Sequence, residues 1–242
     1  TALALIYTFP GLAQEPEINW ILGPAKVDLG QNLANLSINE NYVFADAKDT
    51  VMIMESIGNP PTNTEIGCIF PTDNNQGWYI VFEHEETGYI KDDEKGNIDS
   101  DTIIESLTKG TENSNKYRIE KGHPALHVKG WYNKPFYDEN SHNLTWTVLL
   151  ESSGSEIVNH NVRLLGRNGY ISATLVTDPP TLDVLLTDLD NVISNIHYIK
   201  GKSYSEYVKG DKIAKYGLTA LIAGGAATAA VKFGLFKFLA KF

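Results

Sequence analysis

The sequence contains few of the residues from which disulfide frameworks and enzyme active sites are built. Cys68 is the only cysteine, so no disulfide can form within the chain. Because Cys68 lies in an apolar run, we expect a small buried side chain rather than a reactive thiol. A Gly-x-Ser-x-Gly elbow, a phosphate-binding glycine loop and a His-Glu-x-x-His motif are also absent from the sequence. We therefore predict no catalytic residue and no cofactor, and we expect a protein that is not an enzyme.

Basic residues are scarce as well. The chain has 20 lysines and arginines against 30 aspartates and glutamates, which gives a net charge of −10 at pH 7. A nucleic-acid partner is therefore not expected. The six histidines are scattered, at His84, His123, His127, His142, His160 and His197. Pro124 places the His123 and His127 pair in extended chain, so the two rings are not expected to share a helical face and bind a metal.

Charged residues are missing from a run of the C-terminal region, residues 217–231. As one helix, residues 217–242 would be roughly 39 Å long at about 1.5 Å per residue, enough to cross a hydrocarbon core of about 30 Å. The lysines in the last turns do not form one polar face, but they could snorkel to lipid headgroups. A lipid bilayer is thus the first expected partner. Whether the helix crosses the bilayer, lies in it or packs inside an assembly stays open.

Small residues in the same segment recur at four-residue spacing, which allows the backbones of two helices to touch. This spacing favours a homo-oligomer or a contact with another membrane protein. The residues that carry the membrane and assembly predictions are Gly217, Ala220, Gly224, Gly225, Thr228, Lys232, Lys237 and Lys241.

The N-terminal segment resembles the end of a secretory signal. An apolar run is followed by Pro10 and Gly11, and Gly11 and Ala13 are small residues at the spacing of a cleavage site. We expect export, with the segment either removed or kept as an anchor. The predicted organisation is a signal remnant or anchor at 1–14, an extracytoplasmic domain at 15–199, a linker at 200–215 and a membrane-associated helix at 216–242.

The body of the chain predicts an α+β fold. Two-residue alternation indicates four strands joined by short turns, hence an antiparallel meander, at 126–131, 144–150, 157–165 and 170–176. Further strand pairs are predicted at 34–38 with 42–45 and at 65–71 with 77–83, after an extended lead-in at 18–30. Helices are predicted at 51–57, at 102–121 and from Asp178 onward, and 197–199 as a last strand. An antiparallel sheet layered with helices satisfies this pattern, and its ending is similar to that of PsbP-like domains.

A polar loop at 88–97 is a candidate ligand site, through Lys91, Asp92, Asp93 and Glu94. Its oxygen-bearing residues do not follow the spacing of an EF-hand, and the alternative is a solvated turn before a helix.

Glu83 and Glu85 should share one face of a strand beside His84, which would allow acid–base chemistry if the three converged. Arg163 and Arg167, near Asn159 and Asn161, predict a polar patch with a structural hydrogen-bonding role.

Seven stretches of the sequence together resemble a family of membrane-anchored bacterial proteins known as domain of unknown function 2167. They are 23–30 (GPAKVDLG), 58–61 (GNPP), 88–94 (GYIKDDE), 130–131 (GW), 161–167 (NVRLLGR), 204–207 (YSEY) and 210–225 (GDKIAKYGLTALIAGG). The resemblance implies a signal peptide, a domain on the periplasmic or extracytoplasmic side of a bacterial cell membrane, and a C-terminal membrane segment. Relatives usually continue with further apolar sequence after the lysine-dotted stretch.

Three hypotheses of function follow. The first is a membrane-anchored extracytoplasmic protein that acts by self-assembly or protein binding. The alternative is an ion- or ligand-sensing domain that uses the acidic loop 88–97. The third is a hydrolase that uses Glu83 or Glu85 with His84.

Overall fold

A computed structural model describes residues 17–73 and 75–222. No helix within these residues combines the length and the apolar character that are needed to span a bilayer. The predictions for 1–14 and for Gly224, Gly225, Thr228, Lys232, Lys237 and Lys241 lie outside the described residues.

The described chain forms eleven strands and four helices. The strands are β1 Ile21–Leu22, β2 Ala25–Leu29, β3 Ala34–Ile38, β4 Tyr42–Asp46, β5 Glu65–Pro71, β6 Tyr79–Glu85, β7 His127–Asp138, β8 Asn143–Ser152, β9 Ser155–Gly166, β10 Gly169–Thr177 and β11 Ile196–Tyr198. The helices are α1 Ala47–Ser56, α2 Ser100–Glu120, α3 Pro179–Ser194 and α4 Leu218–Ile222, with a 3-10 turn at Tyr204–Glu206.

Eight strands form one large antiparallel sheet, in the order β1-β4-β5-β6-β10-β9-β8-β7. The predicted meander is confirmed as β7 to β10, and β10 joins it to the β5–β6 hairpin. All nine residues of β10 are buried. Burial on both faces explains why the central strands read as nearly continuous apolar runs.

The large sheet lies between two layers, and alternate residues of each central strand face opposite layers. Val43 and Ala45 of β4 pack in a cluster with α1, α2 and α4. Tyr42 and Phe44 pack in a second cluster with α3 and a small antiparallel sheet in the order β11-β3-β2. The α+β prediction is confirmed, with two hydrophobic clusters rather than one.

Helices α1, α2 and α3 each follow an aspartate cap, and α1 begins at Ala47, before the predicted start at 51. The side chains of Asp46, Asp99 and Asp178 accept the backbone N–H of the residue three positions later. These bonds satisfy N–H groups that have no partner inside the helix. Local capping chemistry therefore sets the helix starts.

One expectation about the strands was wrong. β3 and β4 do not pair with each other, since β3 joins the small sheet and β4 the large one. The lead-in contains a regular strand, β2, that pairs with β3. The reason is visible in the burial pattern, because β3 buries one face whereas the first four residues of β4 are all buried.

Cys68 is fully buried, as expected. Burial raises the pKa of its thiol to about 12, so the side chain stays protonated at neutral pH.

A buried arginine ties the end of α2 to the chain after α1. Arg118 is 3% exposed, and its Nε donates to the Pro124 carbonyl at 2.8 Å. Its Nη1 donates to Gly58 O at 3.0 Å and to Asn59 Oδ1 at 3.2 Å. The planar fork of the guanidinium serves several acceptors at once.

Replacing Arg118 with methionine is expected to lower the free energy of unfolding by about 2 kcal/mol, because buried acceptors lose their donor. Arg118→Lys is the matched control. It keeps the charge but not the fork, and it should destabilise the protein at least as much. Urea unfolding of both variants measures the effect. A methionine variant as stable as the parent would contradict this role.

Candidate functional site

The segment predicted as a linker, residues 200–215, contacts the domain through hydrogen bonds, an ion pair and aromatic rings. Its contacts with residues 88–94 form a structure that we call the C-terminal joint, residues 88–94 with 204–222. Tyr89 N–H donates to Lys212 O at 2.7 Å, and Ala214 N–H donates to Tyr89 O at 2.9 Å. The two segments therefore pair like short parallel strands, with a bridge between Tyr89 and Ile213.

Gly88 makes this pairing possible. Its φ is +102°, and a Cβ atom there would lie 2.7 Å from Lys212 O. A side chain would clash with the backbone of the partner segment, so only glycine fits.

An aromatic stack fills the interior of the joint. The centroid of the Tyr204 ring lies 4.5 Å from that of Tyr89 and 4.5 Å from that of His142. The Tyr207 ring packs on Tyr89 with a centroid distance of 4.3 Å. Tyr204 is 7% exposed and donates its hydroxyl to Ile90 O at 2.9 Å. Burial raises the pKa of Tyr204 well above its usual value, so the hydroxyl stays a neutral donor.

A two-pronged ion pair joins the end of β9 to the same segment. Arg167 Nε and Nη2 donate to the two carboxylate oxygens of Asp211 at 2.7 and 2.8 Å. Asp211 also accepts Val208 N–H at 2.9 Å. The bonds from Arg167, and then that from Val208, lower the pKa of Asp211 to about 2. A bidentate pair of this kind fixes orientation as well as position.

The acidic loop contacts the first turn of the predicted membrane helix. Glu94 Oε2 accepts Thr219 N–H at 2.9 Å, at the start of α4. A Cβ atom on Gly217 would lie 2.6 Å from Glu94 Oε1, so glycine leaves the space that this carboxylate occupies. Leu218, Leu221 and Ile222 are buried in the cluster that contains α2.

The other members of the predicted ligand loop are placed differently. Asp92 accepts the Tyr137 hydroxyl at 3.2 Å, whereas Lys91 and Asp93 are exposed. Across residues 17–73 and 75–222, no group of three or more histidine, cysteine, aspartate or glutamate side chains could hold a metal ion. Asp92 and Glu94 thus bind groups of the chain itself, which favours a structural role for the loop.

The acidic strand end of β6 does not bring Glu83, Glu85 and His84 together on one face of the sheet. In β6, Glu83 and Glu85 lie on the face of the large sheet that packs against α2. His84 lies on the opposite face, toward the small sheet. The two glutamates share a face, as predicted, but the imidazole lies on the other one. The geometry therefore gives no support to a hydrolase built from these three residues.

The predicted polar patch on β9 has a structural role. Arg163 lies over the Trp146 ring at 4.9 Å and the Tyr170 ring at 5.5 Å, and it donates to Ser172. Asn161 accepts the Thr174 hydroxyl at 3.1 Å. These contacts hold β9 to its two neighbouring strands.

Two adjoining cavities of about 740 and 260 Å³ open between the small sheet and the large sheet. Gly30, Gln31 and His84 line both cavities. Burial lowers the pKa of His84, Lys202 acts in the same direction and Glu86 opposes them. The ring is therefore neutral at pH 7.

The family comparison agrees with the resemblance seen in the sequence. The model of the family described as "Protein of unknown function (DUF2167)" matches residues 21–242. The chain belongs to the DUF2167 family. Four of the seven stretches that carry the resemblance meet at the C-terminal joint of this DUF2167 domain: 88–94, 161–167, 204–207 and the described part of 210–225, residues 210–222.

Solved structures resemble the domain in fold only. Cyanobacterial PsbP from Synechocystis sp. PCC 6803 is 11% identical with a TM-score of 0.41, over 78% of this chain and 96% of that one. The Saccharomyces cerevisiae Ran-binding protein Mog1p is 9% identical with a TM-score of 0.36, over 79% of this chain and 100% of that one. No curated protein matches the chain.

Several residues of the C-terminal joint were recognised in the sequence only as part of the family resemblance, without a predicted role. Tyr89, Tyr204, Tyr207 and Asp211 all stand in the stretches that carry the family resemblance. Short motifs spread along a chain can indicate one shared contact region. The sequence did not reveal this contact region, because Tyr89 and Tyr204 lie far apart in the chain.

Proposed function

We propose that this domain is a membrane-tethered, non-catalytic protein that acts by binding or self-assembly on the extracytoplasmic side of a bacterial membrane. The observation that supports the proposal is the C-terminal joint. It seats the first turn of the hydrophobic segment in the body, with Thr219 bound to Glu94 and the apolar side chains of α4 buried.

A hydrophobic segment whose first turn is packed on the domain has less orientational freedom than one attached by a flexible linker. A flexible linker lets a domain sample many orientations. The joint instead fixes the position of residues 204–222 on the domain, and the uncharged run begins within this segment. The contacts at Asp211 and Tyr204 therefore favour a domain held in a defined orientation to whatever the tail enters. An oriented domain presents the same surface to each partner, which suits assembly.

Of the small residues predicted to mediate helix–helix contact, Gly217 and Ala220 lie in the described part of the chain, and only Ala220 is available for such a contact. Gly217 lies against Glu94 within the body, whereas Ala220 is partly exposed. A helix–helix contact would therefore begin at Ala220, and Gly217 has its own role in the joint.

The tethering half of the proposal is tested by liposome flotation of the 242-residue chain. Substituting Ala226→Asp with Ala230→Asp places two charges in the uncharged run, at a cost of about 3 kcal/mol each at the centre of a membrane helix. We expect the parent to float and this variant to remain at the bottom of the gradient. The matched control, Ala226→Ser with Ala230→Ser, should float like the parent. Equal flotation of the parent and the aspartate variant would contradict tethering by the tail.

The assembly half is tested by light scattering or native mass spectrometry in a mild detergent. We expect a discrete oligomer. A strict monomer at all concentrations would contradict self-assembly and leave binding of another protein.

A further inference from the structure

Lysines are concentrated in the segment that precedes the uncharged run. Residues 200–215 contain five of the chain's 20 lysines and arginines, although the chain has a net charge of −10. All five are exposed, and none belongs to an ion pair within residues 17–73 and 75–222. They are Lys200, Lys202, Lys209, Lys212 and Lys215. The segment is therefore a local basic surface on an acidic protein.

The two carboxylates of the same segment are engaged by the chain itself. Asp211 is held by the two prongs of Arg167. Glu206 Oε2 accepts the backbone N–H groups of Gly201 and Ser203 at 2.8 and 3.0 Å. Both carboxylates are partly buried, whereas the five lysines are exposed. Every exposed charged residue of 200–215 is thus a lysine.

The acidic loop on the other side of the joint does not cancel this charge. Residues 88–97 contain three carboxylates and two lysines, a balance of −1, whereas residues 200–215 contain five lysines and two carboxylates, a balance of +3. Two of the loop carboxylates, Asp92 and Glu94, also accept hydrogen bonds from other parts of the chain. The positive charge of the lysine-rich segment is therefore the larger one at the joint.

Large apolar side chains are exposed among these lysines. Tyr207, Val208 and Ile213 are 36%, 52% and 37% exposed, and they are three of the nine large hydrophobic side chains exposed within the described residues. We call residues 207–215 the basic turn. Aromatic and aliphatic side chains between lysines are typical of surfaces that meet a bilayer, because the apolar groups enter the headgroup boundary while the ammonium groups reach the phosphates.

The basic turn lies close to the last described residue of the hydrophobic segment. Four residues lead from Ile213 to Gly217, and an extended chain of this length spans at most about 14 Å. Helix α4, which follows, is about 7.5 Å long. Ile213 is therefore within about 22 Å of Ile222. A membrane that the tail enters is within reach of the basic turn.

We propose that the basic turn rests on the lipid surface and that its lysines bind anionic headgroups of the leaflet on the domain's own side. A lysine near an anionic surface strengthens membrane binding about fivefold, and salt screens this attraction. The inference rests on the proposed function, because it requires that the tail enters a bilayer. It adds the class of lipid and the face of the domain that is turned to the membrane.

The position of the turn is tested with the full chain in liposomes of phosphatidylcholine and phosphatidylglycerol. Val208→Cys carries an NBD fluorophore. Val184→Cys is the matched control, since Val184 is an exposed valine of α3, in the opposite layer of the domain. Cys68 is fully buried, and the parent treated with the same reagent corrects for any label there. A lipid with a spin label near the headgroup end of its acyl chain should quench the fluorophore at 208 at least about twofold more than at 184.

The role of the lysines is tested in the same Val208→Cys protein by comparing two quenchers, spin-labelled phosphatidylglycerol and spin-labelled phosphatidylcholine. The anionic lipid should quench at least about twofold more, because the lysines gather it around the turn, and high salt should remove the difference. Glutamine at positions 209, 212 and 215 should also remove it. The matched control removes three exposed lysines elsewhere on the domain and should keep the preference: Lys26→Gln, Lys48→Gln and Lys129→Gln.

Flotation of the same liposomes separates the possible failures. A chain that floats but is quenched equally at 208 and 184 would overturn this proposal, leave the tether intact and make an acidic partner protein the candidate for the basic turn. Equal quenching by the two lipids in the parent, or the same loss of preference in both glutamine variants, would overturn the role of the lysines. A chain that does not float would overturn the tether, and this inference with it.

Discussion

Replacing Tyr204 with alanine is expected to lower the free energy of unfolding by about 3 kcal/mol, the lower end of the range for removal of a large buried aromatic ring. The ring is 7% exposed and touches Tyr89 and His142, so its loss leaves a cavity in the aromatic stack. Chemical unfolding monitored by circular dichroism measures the change.

The matched control is Tyr204→Phe. It keeps the ring and removes only the hydroxyl that donates to Ile90 O, so about 1 kcal/mol should be lost. A phenylalanine variant as damaged as the alanine variant would mean that the hydrogen bond, and not the stack, holds the joint.

The same pair of variants distinguishes a joint from a linker. If the contacts of Tyr204 seat residues 204–222, the alanine variant should expose the backbone of this segment before the rest of the domain unfolds. Hydrogen exchange at Tyr89 and Ala214, whose amides bond across the joint, should rise first. Unchanged exchange at these two amides would contradict the joint.

Stability should fall by about 3 kcal/mol as the pH is lowered from 6.5 to 4, through His160 alone. The ring is 7% exposed, and burial lowers its pKa from 6.5 to about 4. The unfolded chain therefore binds a proton in this window and the folded chain does not. The stability that depends on neutral His160 is complete above pH 6.5 and is lost as the pH falls toward 4.

His160→Gln provides the control, because glutamine does not titrate. This variant loses the contact of His160 Nδ1 with the Thr147 hydroxyl at 2.8 Å, so it should be less stable at pH 7. Its stability should depend less on pH between 6.5 and 4 than that of the parent. His84 also has a lowered pKa and supplies part of the remaining slope. Identical slopes for parent and variant would show that His160 is not the group that titrates.

Predictions that rest on local chemistry agree with the structure. The helices α2 and α3 begin close to their predicted starts, after Asp99 and Asp178, because a cap needs only a side chain and the N–H three residues later. The strands of the meander were also predictable, since short turns join neighbours in sequence.

Predictions that depend on partners distant in sequence were less successful. β3 and β4 are neighbours along the chain, yet they belong to different sheets. Asn39 and the residues beside it form a crossing between layers that has the same composition as a hairpin turn. The sequence feature that could have revealed this is the apolar run of β4, because a strand without polar alternation is typical of the centre of a sheet.

The candidate site shows the same division. The acidic loop 88–97 was recognised from composition, and its carboxylates were predicted either to bind a ligand or to lie in a solvated turn. In the structure Glu94 binds Thr219 and Asp92 binds Tyr137, residues far away in sequence. Composition reports which groups can bind, and only the packed chain shows which have already found a partner.

The sequence by itself determined the starts of α2 and α3, the meander, the buried cysteine and the family, because each of these follows from near neighbours or from motifs in order. Tertiary structure alone decided the division into two sheets and the joint at Tyr204 and Asp211. These features arise where segments distant in sequence exclude water together, and a contact between distant residues leaves no periodic pattern in either of them. The joint, which supports the proposed function, belongs to this second group.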